Sequence, residues 1–338
     1  FFLYIFFITG LSEFFLIKAI LITQGFISII SALIFFYICK IYFQKKNSII
    51  LTYIFLFYPL NFYSSTQISS ITLQTFLFCL FIFLILKFKD KFNFIFFGIV
   101  SGLLMLIRGE FYLLFFISLV ILLYKKNYIY KILLSSLICI IIISPYVYRN
   151  YTHFDEILIT KSSGYNLWRG NNIFADINGT TYNEKIYPNL EYEKEILTKN
   201  LIKENELFKY EIVLDNYYKK RAINNIKHDP KKYIELYVQK FFSYLFFNYK
   251  SNYENYYNIF SIVPEILISF LFILGFFTNL FSKKKNIDFM ILISFYLLII
   301  PIFFVLPRYK LFILPLMIFY VGYLIESEFF KRIFSKKQ

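Results

Sequence analysis

Runs of apolar residues close to twenty long recur along this chain, separated by short clusters of lysine. A helix rises about 1.5 Å per residue and a bilayer core is about 30 Å thick, so such runs match spanning helices better than a soluble core. Lipid offers no partner to an unpaired strand edge, which leaves the α-helix as the form these runs can take. The composition agrees, with 59% hydrophobic residues, 47 phenylalanines and 31 tyrosines in 338 residues. The expected fold is an all-α polytopic membrane protein with nine spans, near 15–43, 48–63, 68–88, 92–107, 111–124, 129–148, 259–281, 287–306 and 311–325. The excess of aromatic residues in these runs reads as lipid-facing.

Charge orients the spans. One set of helix ends carries Lys40, Lys45, Lys46, Lys87, Lys89, Lys91, Lys125, Lys126, Lys131, Lys283, Lys284, Lys285, Lys331, Arg332, Lys336 and Lys337. The opposite short ends carry Lys18, Arg108, Arg308 and Lys310. Cytoplasmic loops collect basic residues, so the first set is expected inside and the C-terminus with it. No charge is read as buried at mid-bilayer.

The segment 149–258 is the one long polar stretch, and the alternation puts it outside. It divides the chain into a first membrane part, 1–148, an extracytoplasmic loop domain, 149–258, and a last membrane part with a cytoplasmic tail, 259–338. With 16 Lys and Arg against 14 Asp and Glu the segment is nearly neutral. The net charge of +15 therefore belongs to the short loops, as topology signals, and not to a nucleic-acid surface. Within the segment, 152–187 reads as loop or short strand, with a turn at Asn178-Gly179-Thr180. A charged stretch from Leu190 to Lys227 has helical spacing. Asp229-Pro230 supplies an N-cap and a first-turn proline. The following Tyr233, Leu236, Tyr237, Lys240, Phe241 and Tyr244 read as the apolar face of a helix lying on the membrane.

Cys39, Cys79 and Cys139 all lie in apolar runs and are spaced too widely for a metal pattern. His153 and His228 cannot hold zinc by themselves, so no metal ligands are assigned. The chain opens on Phe1 inside an apolar run, and we read its N-terminus as truncated.

Several local features occur in a set order. Arg108-Gly109-Glu110 is followed by a span ending Pro145-Tyr146-Val147-Tyr148-Arg149-Asn150-Tyr151. Then come the box Gly164-x-Asn166-Leu167-Trp168-x-Gly170-Asn171-Asn172, the stretch Ile226-Lys227-His228-Asp229-Pro230, and Pro307-Arg308-Tyr309-Lys310. This order resembles the polytopic GT-C glycosyltransferases akin to protein O-mannosyltransferases and the aminoarabinose transferase of lipid A. The resemblance implies transfer of a sugar from a polyprenyl-phosphate donor to a hydroxyl on a protein, lipid or glycan. The setting would be the outer face of a bacterial-type cytoplasmic membrane, with lipids as the other partner and no nucleic acid. It further implies a catalytic carboxylate on the first outer loop, expected upstream of Phe1, so no catalytic residue is assigned here. Some relatives hold a divalent metal. Relatives often carry a glutamate where this chain has Gln67, Ser69 and Ser70, which leaves the metal open.

The chemistry needs cations against the donor phosphate, and arginine gives two-pronged contacts that lysine does not. Arg308, Arg108 and Arg149 are the candidates, since outer basic groups oppose the orientation bias. Glu110, Asn166, Trp168, Asn171 and Asn172 are the sugar- or acceptor-binding candidates, an aromatic face with amides around it. The competing readings are an Arg108–Glu110 pair that fastens helix ends and a box that folds inward as structure. The alternative functions are an O-antigen polymerase or ligase and, less favoured, a lipid-linked-sugar flippase.

Overall fold

The computed structural model describes residues 12–90, 92–125, 129–179, 188–203, 206–251, 256–282 and 285–327. The N-terminal run before Ser12, Thr180, Lys91, Lys126, Lys283, Lys284 and the basic tail from Lys331 lie outside the described residues. The described residues are helical and contain no strand. In chain order the helices are α1 (Glu13–Tyr42), α2 (Lys45–Leu56), α3 (Pro59–Ser65), α4 (Ile71–Leu86), α5 (Asn93–Ile107), α6 (Phe111–Tyr124), α7 (Ile129–Phe154), α8 (Ser163–Gly170), α9 (Pro188–Lys203), α10 (Tyr210–His228), α11 (Pro230–Leu245), α12 (Ile259–Phe281), α13 (Ile287–Ile299) and α14 (Leu314–Glu326). Short 3-10 turns lie at Leu207–Lys209, Ile300–Ile302 and Pro307–Phe312. Among the described residues three helices, α1, α7 and α12, are long and apolar enough to cross a membrane.

Two of the expected runs are broken, both by proline. The run 48–63 is two helices, because Pro59 lacks an N–H and drives Tyr58 to extended backbone with φ −61° and ψ 126°. The run 287–306 leaves the α-helix after Ile299, where Pro301 turns the chain into a 3-10 turn.

The chain forms two compact units. The first comprises Phe1–Cys139, Asn255–Ile293 and Arg308–Gln338, and the second Ile140–Glu254 and Ser294–Pro307.

In the first unit α14 is central. Every residue from Leu314 to Leu324 is buried, as expected of a helix that is apolar all round. It packs along α12, where Gly275 lets the two backbones meet. A Cβ at Gly275 would collide with the Tyr320 carbonyl. Here the lipid-facing reading of the aromatic residues is corrected. Phe35, Phe55, Phe78, Phe81, Phe97 and Phe111 are fully buried and pack ring on ring, as in the Phe81–Phe97 pair at 5.2 Å. A ring offers more contact area than an aliphatic chain, and core as well as lipid-facing positions use it. Cys39, Cys79 and Cys139 are all buried, with no disulfide among them.

Polar contacts in this unit tie chain-distant helix ends together. Glu326, at the end of α14, accepts from the Gln44 backbone N–H and, at 3.1 Å, from Asn47. Lys125 pairs with Asp288, and Lys131 donates to the Lys89 carbonyl at 2.7 Å. At another set of ends Gln24 donates to the Ser69 carbonyl at 2.8 Å, and Arg108 meets Tyr309 and Phe312.

Within the second unit the expected N-cap forms, with the Asp229 carboxylate accepting from the Lys232 N–H at 3.1 Å. The loop reading of 152–187 is corrected by α8, an eight-residue helix over the Trp168 box. The Asn178-Gly179 turn is present, with Gly179 at φ 72°. The expected outward face of α11 is also corrected. Tyr233, Leu236, Lys240 and Tyr244 are buried inside the unit, while Ile234, Val238 and Phe242 are exposed.

Candidate functional site

In the first unit, Arg108 ends α5 on an extended residue, φ −147° and ψ 120°, and Glu110 opens α6 two residues later. Two helices that meet in so short a turn leave the two side chains side by side. The Arg108 guanidinium lies 4.0 Å from the Glu110 carboxylate, a loose pair with both side chains about one-quarter exposed at 24% and 26%. Its carbon lies 5.6 Å from the Tyr309 ring centre and 4.8 Å from that of Phe312. Arg308, exposed on the 3-10 turn, lies 5.9 Å from the same Tyr309 ring. Two arginines two hundred positions apart thus lie near one tyrosine. Neither guanidinium makes a hydrogen bond among the described residues, so their planar forks remain available to an anion.

Behind this turn lies a buried polar group that sequence reasoning missed. Lys310 and Glu265 are 3% and 1% exposed, with 3.9 Å between ammonium and carboxylate. The Lys310 ammonium donates to Ser269 Oγ at 2.9 Å and to the Glu265 carbonyl at 3.3 Å. Tyr256 donates its hydroxyl proton to Glu265 Oε2 at 2.8 Å. Both residues lie near helix ends, Glu265 in the second turn of α12 and Lys310 on the 3-10 turn before α14. Glu265 carries no periodic signature within its apolar run, and its partner is 45 residues away.

The remaining candidates belong to the second unit. Arg149 is exposed near the end of α7, with one donor 3.3 Å from Asn150 Oδ1 and its carbon 6.0 Å from the Tyr146 ring centre. The Trp168 box turns inward. Trp168 is 1% exposed and packs with Tyr218 and Ala222 in a core flanked by Tyr165, Leu167, Leu214 and Tyr217. Its ring is buried, which accords with the inward-folded reading of the box. Asn171 spends its amide on the Leu167 and Ile302 carbonyls, both at 2.8 Å. Asn172, fully buried, bonds the Trp168 and Arg169 carbonyls and accepts from the Phe174 N–H at 2.8 Å. These amides close the end of α8 as C-terminal caps would. Asn166 alone in the box is half-buried with its side chain uncommitted among the described residues.

Two charges from later helices hold α8 in place. Asp215 on α10 accepts from the Gly164 and Tyr165 N–H groups at 3.0 and 2.8 Å, where the helix presents unpaired donors. Lys240 on α11, with no exposed surface, donates to the Gly170 and Phe303 carbonyls, both at 2.6 Å. Burial pushes its ammonium down to about 7, against the opposing pull of Asp176.

No group of three His, Cys, Asp or Glu among the described residues could hold a metal ion. An open depression of about 350 Å³ on the second unit is lined by Phe154, Thr198, Leu207, Phe208, Tyr210 and Glu211, and includes none of the expected site residues. No family model, curated protein or solved structure matches this chain.

Proposed function

We propose that the chain is part of a membrane glycosyltransferase, which moves a sugar from a polyprenyl-phosphate donor to a hydroxyl acceptor at the outer face of the cytoplasmic membrane. The observation that carries the reading is the convergence of Arg108 and Arg308 on Tyr309, at 5.6 and 5.9 Å from its ring centre. Both guanidinium groups keep their donors uncommitted, and Glu110 stands beside one of them. A pyrophosphate or phosphodiester is the kind of anion such forks bind, and its departure needs charge neutralisation more than proton transfer. Glu110 then orients Arg108.

Nine membrane passes remain part of the proposal. What supports the alternation is that contacts within the first unit join ends of like predicted side. Lys125 meets Asp288 and Gln44 meets Glu326, all expected inside. Arg108 meets Tyr309, both expected outside.

The test is donor binding and sugar transfer by purified parent and Arg308→Ala proteins with matched melting behaviour. A charge-assisted contact to phosphate is worth about 1.5–3 kcal/mol, and about 1.4 kcal/mol is tenfold, so affinity or turnover should fall at least about tenfold. Arg308→Lys should recover part of the loss. Parent-level binding and transfer by Arg308→Ala would overturn the assignment.

A further inference from the structure

Helix α11 has two apolar flanks, and the protein uses only one of them inside. Tyr233, Leu236, Lys240 and Tyr244 turn into the second unit and are buried. Ile234, Tyr237, Val238, Phe241 and Phe242 recur at the i, i+3, i+4, i+7, i+8 spacing of a second stripe. Of these, Ile234, Val238 and Phe242 are 64%, 44% and 52% exposed. A surface helix in water carries polar residues opposite its buried face, so a second apolar stripe calls for an apolar surrounding. The exposed charges of α11, Lys231, Lys232 and Glu235, fall in its first two turns, and beyond Gln239 its exposed surface is apolar.

What lies beside the stripe says which surrounding it is. At one edge the Tyr237 hydroxyl donates to the Leu298 carbonyl at 2.9 Å, and α11 packs on the 3-10 turn Ile300–Ile302. Leu298 and Ile302 are themselves exposed. They belong to a stretch with no charged residue between Asp288 and Arg308. The same chain contains helices long and apolar enough to cross a membrane. The exposed flank of α11 is thus fastened to backbone that itself presents apolar side chains outward. One helix flank is convex, and acyl chains adapt to a convex surface.

We propose that the second unit docks on the bilayer surface through this flank of α11, with Ile234, Val238 and Phe242 among the lipid acyl chains. Leu298 and Ile302 continue the lipid-facing surface, and Gln239 turns to water. A helix of this kind lies in the interface with its apolar face about 5–10 Å into the headgroup and acyl boundary. The membrane side of α11 is therefore the flank opposite the one its tyrosines and Lys240 suggest from sequence. The inference rests on the membrane reading of the run from Ile287. It does not depend on the glycosyltransferase reading or on which face of the membrane the unit occupies.

The test uses the full chain in phosphatidylcholine vesicles, with the fluorophore bimane on Val238→Cys or Gln239→Cys. Both positions are exposed, so neither variant disturbs the core of the unit. The native cysteines are buried, and labelling of the parent sets the background. The quenchers are iodide in the water and lipids with a nitroxide high or low on the acyl chain. Bimane at 238 should be quenched by both lipids, more by the high nitroxide, and several-fold less by iodide than bimane at 239. Ile141→Cys, at an exposed position of α7, is the control for the membrane itself. Lipid quenching at 141 without it at 238 overturns the proposal and leaves the membrane reading standing. Equal iodide quenching at 238 and 239 overturns it too. So does protection of 238 from both quenchers, which would mean that a second copy or another protein covers the flank. Absence of lipid quenching at both 141 and 238 overturns the membrane reading and the proposal with it.

Discussion

Asp215 and Lys240 grip opposite ends of the same eight-residue helix, the acid at its N-terminal donors and the base at its C-terminal carbonyl. A helix carries partial positive charge at its start and partial negative charge at its end, so each partner meets the sign that suits it. A helix this short is marginal by itself, and these contacts replace the turns it lacks.

Asp215→Ala should therefore destabilise the second unit by about 2–4 kcal/mol, since two buried N–H groups lose their acceptor. Asp215→Asn should recover part of that, as one amide oxygen remains. Trp168, the single tryptophan and a core residue of this unit, reports the change directly through its emission in denaturant titrations. Parent-like unfolding of Asp215→Ala would mean that water satisfies those donors.

Lys240 should make stability depend on pH with a definite sign. Its ordinary value of 10.5 applies to the unfolded chain, and the folded value is about 7. Below about pH 7 both forms are charged and the dependence is flat. Between about 7 and 10.5 the unfolded chain holds a proton that the folded one does not, so stability rises with pH. The slope is at most about 1.4 kcal/mol per pH unit. Subtracting the profile of Lys240→Met isolates this contribution from other groups. The difference should vanish as a slope, not as an offset, if Lys240 stays charged in the fold.

Topology can be read by labelling single cysteines in intact cells. A cysteine at Lys45, exposed at the start of α2, should react only after the inner face is opened. One at Lys199, whose side chain is 72% exposed on α9, should react from outside. The reverse pattern would place Arg108 and Arg308 away from an outer-leaflet donor.

Two glycines give opposite expectations. Gly275→Ala puts a methyl into the Tyr320 carbonyl and should cost about 1–3 kcal/mol. Gly25→Ala on α1 meets nothing within 4 Å and should be neutral or slightly stabilising. Equal melting temperatures for the two variants would show that α12 and α14 can separate without loss.

Local rules carried part of this fold. The apolar runs are helices, and Asp229-Pro230 starts α11 where capping chemistry says it should. The breaks at Pro59 and Pro301 follow from the same chemistry, though an apolar run around a proline hides them. What local pattern does not encode is partnership at a distance. Tyr309 is one aromatic residue among many until Arg108 and Arg308 are both seen beside it. Trp168 looks like a surface platform because asparagines surround it, but those amides serve backbone carbonyls and the ring faces Tyr218. Glu265 sits in a run that reads as lipid-facing, and only the packing of Lys310 and Tyr256 explains it.

The helix at the centre of the first unit, α14, is also made after α1, α2 and α12, against which it packs. A ribosome delivers the walls of this unit before its middle. Until α14 arrives, aromatic faces such as Phe43 and Phe289, which end up against Phe319, have only lipid or one another for company. Assembly of this unit is therefore a late closure around an incoming helix, in which a Cβ at Gly275 would meet the Tyr320 backbone and one at Gly322 the ends of the Phe43 and Leu51 side chains.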